Sequence, residues 1–208
     1  MSLYLYVLDT LADWEIGHLT AEVRSGRFFR PGAHCPLVTV GNSRAPVRSM
    51  GGMQIVPDLS VGELRLADED VLVLPGGDLW SDPAQDAILR LATERVSRDL
   101  PTAAICGATL GLARVGALDC KRHTSNDLGY LRSVCPNYAG AERYLEERAV
   151  VDRGLVTASG QSALAFSCEV LRLLGVFRPE TLAAWEGLYR TNEPRFFYAL
   201  MESLGREV

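Results

Sequence analysis

The stretch Thr102-Ala103-Ala104-Ile105-Cys106-Gly107-Ala108-Thr109 decides how this chain is interpreted. A short apolar run ends at a cysteine, and small residues with a helical pattern follow directly. A strand that becomes a helix within one residue strains that residue's backbone and exposes its side chain at the carboxyl end of a sheet. The sequence therefore predicts that Cys106 lies on a nucleophile elbow, where the Gly107 amide opens a helix and favours negative charge. The alternative is a buried structural cysteine at a strand end.

The composition indicates a folded domain that binds neither nucleic acid nor a membrane. The chain has 208 residues, of which 48% are hydrophobic, and this is enough for one domain over residues 1–208. Its formal net charge is -5 without any basic run, so nucleic acid and anionic membrane surfaces are poor partners. No apolar run is long enough to span a bilayer, and the first residues lack the features of a secretory signal. We therefore expect a cytoplasmic protein.

The cysteines do not form the patterns of a disulfide framework or a zinc site. There are five, an odd number with no C-x-x-C pair: Cys35, Cys106, Cys120, Cys135 and Cys168. Cys168 falls on the apolar face of a predicted helix, where a core position is expected. No residue spacing in the sequence is typical of a metal site or of the binding site of another cofactor, so we expect no cofactor.

Strand-like and helix-like segments alternate along the chain. The predicted strands cover 3–8, 36–40, 71–74 and 102–105, with short ones near Val47 and 53–56 and a hairpin formed by 149–151 and 155–158. The predicted helices cover 13–25, Asp82 to about Arg98, 163–174 and Pro179 to the C-terminus. Such alternation predicts an α/β fold with a doubly wound, mostly parallel sheet sandwiched by helices in a single domain. Ligands are then expected outside the carboxyl ends of the strands.

Two other segments should reach the same edge of the sheet as Cys106. Pro75, Gly76 and Gly77 follow an apolar strand, and the Gly77 amide could join that of Gly107 in an oxyanion hole, although Pro-Gly-Gly is also a common tight turn. Glu15 lies in the first turn of a predicted helix, where a glutamate is commonly solvated. If Glu15 points into the cleft instead, burial would keep it protonated, and its O–H could stabilise the thiolate and lower the thiol pKa.

Three motifs together resemble those of the ThiJ/PfpI superfamily, in a bacterial branch of uncharacterised proteins. They are Asp13-Trp14-Glu15, Leu74-Pro75-Gly76-Gly77 and Ala104-Ile105-Cys106-Gly107-Ala108. The resemblance covers nearly the whole chain and implies a flavodoxin-like, class I glutamine amidotransferase-like fold. That superfamily includes intracellular peptidases, a deglycase and isocyanide hydratases.

The resemblance also implies roles for individual residues. Cys106 is similar to the family nucleophile, and Glu15 is similar to the acid that contacts it. Gly77 and Gly107 are similar to the oxyanion-hole donors. A homodimer is likewise implied by the family alone.

The position of a catalytic histidine differs from the family patterns. The peptidase branch has a histidine directly after the nucleophile, where this chain has Gly107. The deglycase branch has one in a segment that aligns with residues 124–126, and we place Ser125 there with an uncertainty of one residue. Asn126 and His123 are therefore further candidates for an auxiliary role. Without a histidine, robust peptide hydrolysis is not expected, because the amine leaving group needs a proton.

Several functions remain open at this point. The first is a cysteine-dependent hydrolase, amidase or glyoxalase-like lyase that acts on a small electrophilic substrate. The alternatives are a stress-response protein in which Cys106 senses oxidation, an intracellular peptidase, and a noncatalytic module that assembles through the aromatic residues of 195–201. A glutaminase is disfavoured because no His-x-Glu motif appears late in the chain.

Overall fold

A seven-stranded sheet forms the centre of the protein in a computed structural model that describes residues 1–205. The strands are β1 (Leu3–Tyr6), β2 (Leu37–Gly41), β3 (Val47–Arg48), β4 (Gln54–Ile55), β5 (Leu59–Ser60), β6 (Val71–Leu74), β7 (Thr102–Ile105), β8 (Ala149–Asp152) and β9 (Leu155–Ala158). Their order in the sheet is β5-β2-β1-β6-β7-β9-β8, and β3 pairs with β4 separately. All neighbours in the large sheet are parallel except β8 and β9. The fold is thus the α/β arrangement that the sequence predicts.

Helices cover both faces of this sheet. They are α1 (Asp13–Ser25), α2 (Asp86–Ser97), α3 (Gly107–Arg114), α4 (Leu128–Val134), α5 (Ala163–Leu174), α6 (Pro179–Thr191) and α7 (Pro194–Ser203). The chain moves outward in opposite directions from β1 and from β6, so right-handed crossovers place α1 and α2 on opposite faces. None of the helices among residues 1–205 combines the length and apolarity needed to cross a bilayer.

The central strands are continuous apolar runs because both of their faces are covered. All four residues of β6 are buried, and so are those of β7 and β9. Because neighbouring strands among β1, β6, β7 and β9 are parallel, their carboxyl ends lie along one edge of the sheet. The four loops that follow these strands can therefore contribute to a single site.

Two predicted helix boundaries differ from the structure. The helix predicted to start at Asp82 begins as a 3-10 turn over residues 83–85, and α2 follows it. Asp82 is the N-cap of that turn, and its side chain accepts a hydrogen bond from the Ala84 amide at 2.8 Å. The predicted C-terminal helix is two helices, since Asn192 adopts a left-handed backbone (φ 62°) and a proline opens α7. The end of that prediction, residues 206–208, lies outside the described residues.

A buried carboxylate joins α1 to α6. Glu22 is only 1% exposed, and its side chain accepts hydrogen bonds from Arg27 Nε at 2.8 Å and from Trp185 Nε1 at 3.0 Å. Trp185 is fully buried, so its indole N–H depends on Glu22 for a partner. The C-terminal part of α1, the helix that also carries Glu15, is thereby attached to α6.

Glu22→Ala should lower the free energy of unfolding by about 2–3 kcal/mol, because it leaves a buried indole N–H and a guanidinium without their acceptor. Arg27 is half-exposed and can still be hydrated, which keeps the loss below that of a fully buried pair. Urea denaturation measures the effect. The matched control is Glu94→Ala, which breaks an exposed pair with Arg98 (3.7 Å) and should change stability by less than about 0.5 kcal/mol. Equal losses in the two variants would contradict a structural role for the buried contact.

Candidate active site

Cys106 occupies a strained turn between β7 and α3. Its backbone has φ 56° and ψ -123°, a conformation that is rare for any residue other than glycine. The Cys106 amide donates to the Ala158 carbonyl at 3.0 Å, and the Cys106 carbonyl accepts from the Thr109 hydroxyl at 2.6 Å. These bonds hold the turn from both sides, and Cys106 remains partly exposed at the carboxyl edge of the sheet. The backbone geometry is that of a nucleophile elbow.

Glu15 lies inside the protein, next to the thiol. It is fully buried in the first turn of α1, and its Oε2 accepts a hydrogen bond from the Gly76 amide at 2.6 Å. A methyl group built on Gly160 would lie 2.9 Å from Cys106 Sγ and 2.9 Å from Glu15 Oε1. The two functional atoms therefore border the same small space. The solvated alternative for Glu15 does not apply in this structure.

Burial sets the charge state of this pair. Burial raises the pKa of Glu15, while its contacts with Cys106 and the Gly76 amide lower it in part. Burial also raises the pKa of Cys106 to about 11, opposed by the Asn126 amide and the Gly107 N–H and reinforced by the charge of Glu15. The sulfur therefore rests as a thiol near neutral pH, and the Glu15 carboxyl loses its proton before the thiol does. The sequence-based expectation of a lowered thiol pKa is not met, because burial outweighs the two donors.

Gly77 and Gly107 lie against each other at the predicted oxyanion hole. A Cβ atom at Gly107 would lie 2.5 Å from the Gly77 carbonyl oxygen and 3.2 Å from the Gly77 nitrogen. Within residues 1–205 the Gly77 N–H donates no hydrogen bond, so it is free for a ligand. In this structure a side chain at position 107, where the peptidase branch has histidine, would therefore collide with Gly77.

The segment from His123 to Asn126 brings one of its three candidate side chains to the sulfur. Asn126 Nδ2 lies 3.2 Å from Cys106 Sγ, and Asn126 Oδ1 accepts from the Gly160 amide at 2.8 Å. Ser125 is buried one residue away, where its hydroxyl meets that of Thr109 at 2.7 Å. The side chain at the sulfur is therefore Asn126, one residue beyond the position assigned by the resemblance.

None of the three histidines among residues 1–205 contacts Cys106. His123 is fully buried, with Nδ1 2.7 Å from the Lys121 carbonyl and Nε2 2.5 Å from the Tyr138 hydroxyl. Burial lowers the pKa of His123, so it is neutral. His18 packs edge-on against Tyr189, with ring centroids 4.8 Å apart, and His34 lies in a loop before β2.

The remaining cysteines differ from Cys106 in their surroundings. Cys35, Cys135 and Cys168 are buried, and Cys120 is exposed, all as free thiols. Cys168 belongs to the core, as its helical position predicts. In the described part of the chain, no three His, Cys, Asp or Glu side chains are grouped as metal ligands would be.

Comparison with known proteins shows the family to which the chain belongs. The chain matches the DJ-1/PfpI family over residues 1–173. It is 45% identical over 204 residues to the "Uncharacterized protease YoaZ" of Bacillus subtilis, which covers 98% of this chain and 97% of that protein. The crystal structure of a thiJ/pfpI family protein from Bacillus anthracis has a TM-score of 0.94 and 43% identity, covering 98% of this chain and 97% of the other. A DJ-1 superfamily protein from Agrobacterium tumefaciens has a TM-score of 0.80 and 33% identity over 92% of this chain and 98% of its own. The chain is a member of the DJ-1/PfpI family.

Proposed function

We propose that this protein is a cysteine-dependent enzyme in which Cys106 attacks the carbonyl carbon of a small electrophile. The reaction would be of the hydrolase, amidase or glyoxalase-like type. The observation that carries the proposal is the buried carboxyl of Glu15 beside a thiol on a strained strand-to-helix turn. We further propose a cytoplasmic location and a small-molecule substrate, together with a homodimer, which the family resemblance supports.

Glu15 serves as the base and then as the acid. As the S–C bond forms, the thiol proton passes to the Glu15 carboxylate, and the electron pair of the C=O bond moves onto oxygen. The N–H groups of Gly77 and Gly107 stabilise that oxygen. With an aldehyde, protonated Glu15 returns its proton to the oxygen. With an acyl substrate, the C=O bond reforms as the bond to the leaving group breaks, Glu15 protonates the leaving group, and a water molecule then hydrolyses the thioester and frees Cys106. A base with a pKa raised towards neutrality suits this role, and such proton transfer contributes about 10²–10⁴-fold to a rate.

The absence of a histidine contact at Cys106 within residues 1–205 narrows the substrate class. The relatives from Bacillus subtilis are named uncharacterized proteases, so peptide hydrolysis is the second candidate. An amine leaves a peptide adduct only when it is protonated. In the described part of the chain, Glu15 is then the one side chain in contact with the sulfur that can supply a proton. Aldehydes and activated acyl compounds need less help at this step and are the favoured class.

The proposal is tested by measuring the turnover of a panel of candidate substrates. The panel contains a 2-oxoaldehyde, a nitrophenyl ester and a fluorogenic peptide, each assayed with wild-type protein and with Cys106→Ala. We expect turnover of the aldehyde or the ester, little of the peptide, and a loss of about 10³-fold or more in the variant. Cys120→Ala, which removes an exposed cysteine, is the control and should retain full activity. Undiminished turnover in Cys106→Ala would refute the proposal.

Oxidation sensing is an alternative for the same site. The donors around Cys106 Sγ, namely the Asn126 amide and the Gly107 N–H, would also stabilise a sulfinate. Graded peroxide treatment followed by intact-mass measurement separates the two functions. Stable dioxidation at Cys106 alone, without turnover of any compound in the panel, would favour the sensor over the enzyme.

A further inference from the structure

We propose that Asn126 is a catalytic residue, whose amide donates a hydrogen bond to the sulfur anion while carrying no proton itself. All proton transfer at the site then passes through Glu15. This inference rests on the proposed function, because it states how the same thiol is stabilised. It also limits the substrates to those whose adducts form and decompose without a second acid.

The orientation of the Asn126 amide is fixed by its neighbours. The Gly160 backbone N–H can only donate a hydrogen bond, and it lies 2.8 Å from the far end of the amide. That end must therefore be the oxygen, which leaves the NH₂ group facing Cys106 Sγ at 3.2 Å. The group nearest the sulfur is thus a donor, and it strengthens as the sulfur gains negative charge.

Gly160, whose N–H orients Asn126, is also held through its carbonyl group. The Gly160 carbonyl accepts a hydrogen bond from Trp14 Nε1 at 3.1 Å. Trp14 precedes Glu15 directly in α1, so one short chain of hydrogen bonds joins the helix of the acid to the amide at the sulfur. Trp14 is therefore a positioning residue, which acts on the sulfur through Gly160 and Asn126.

An amide and an imidazole at this place lead to different chemistry. Imidazole can take the thiol proton and later give it to a leaving group, whereas a carboxamide does neither near neutral pH. The thiol proton moves to Glu15, the S–C bond forms, and the same proton returns to the new oxygen anion, which completes addition to a carbonyl. The structure therefore favours carbonyl addition and activated acyl transfer over cleavage of peptide bonds.

The rate of Cys106 alkylation by iodoacetamide, measured against pH, tests the inference without any substrate. The experiment uses a Cys120→Ala background and mass spectrometry of the Cys106 peptide. For Asn126→Ala we expect an alkylation rate about tenfold lower near pH 8 and a titration shifted upward by about one pH unit. Trp14→Phe, which keeps an aromatic side chain but has no N–H to donate, should shift the titration in the same direction by about half as much. Asn42→Ala, an exposed asparagine on a loop after β2, is the control and should match wild type.

The outcomes separate this inference from the proposed function. Identical alkylation profiles for Asn126→Ala and wild type, in a variant with an unchanged melting temperature, would refute a role of Asn126 at the sulfur. A merely structural role would lower the melting temperature without moving the titration, and it would refute the inference equally. Failure of the whole substrate panel together with a shifted titration would refute the proposed enzyme activity and leave the Asn126 contact supported.

Discussion

Glu15→Gln is expected to change turnover and thiol reactivity in opposite directions. Glutamine cannot accept the thiol proton, so turnover should fall by about 10²–10⁴-fold. The same substitution removes the negative charge that helps to raise the pKa of Cys106, so iodoacetamide should alkylate the thiol faster near neutral pH. Steady-state kinetics and alkylation rates, measured on the same preparations, check both effects. A parallel fall of the two rates would contradict a base role for Glu15.

The pH dependence follows from the direction of the Glu15 shift. Burial raises the pKa of Glu15, so the folded protein holds this proton more tightly than the unfolded chain. The contribution of Glu15 to the free energy of unfolding is therefore greatest below the pKa of the unfolded chain, about 4.3. It decreases as the pH rises through the pKa of the folded protein. Glu15→Gln should be more stable than wild type above that window, as urea denaturation would show. Glu15→Leu is the contrast, because it leaves the buried Gly76 N–H without an acceptor and should be less stable than Glu15→Gln.

Gly160→Ala is expected to abolish most activity while preserving the fold. The added methyl group would lie 2.9 Å from both Cys106 Sγ and Glu15 Oε1, so we expect it to displace the thiol or the carboxyl from its present position. Because proton transfer between them depends on contact, turnover should fall by about 10²-fold or more. Steady-state kinetics and a thermal melt check the two expectations.

Gly17→Ala is the matched control for that substitution. Gly17 lies in the same helix as Glu15, and a Cβ there would meet nothing within 4 Å. Alanine should stabilise the helix by about 0.5–1 kcal/mol and leave turnover unchanged. Activity in Gly160→Ala comparable to that of Gly17→Ala would show that the space between the thiol and the carboxyl is not used in the reaction.

Much of the fold could be predicted because its central strands are covered on both faces. Apolar runs such as 71–74 and 155–158 mark those strands in the sequence, and the glycines and prolines around them mark the turns. The two-residue strand β5 and the short helix α4 were not predicted, since neither is long enough to show a hydrophobic period.

For the candidate site, the sequence could predict only those positions that directly follow a predicted strand. The places of Cys106 and Glu15 follow from the rule that the carboxyl ends of parallel strands share one edge. The choice between Ser125 and Asn126 depends on a register of one residue in an irregular segment, which no period determines. The raised pKa of the thiol depends on how deeply the pair is buried, and residue types alone do not contain that quantity.

The attachment of α1 to α6 through Glu22 and Trp185 has a consequence for synthesis on the ribosome. The helix that carries the acid is made among the first residues, but its anchor emerges only after every strand of the sheet. Domains begin to fold while they are being translated, so the thiol can reach its elbow before the far end of α1 is attached at Glu22. We expect a nascent chain that ends before α6 to hold Glu15 only through the Gly76 amide, with the far end of α1 secured once translation has passed Trp185.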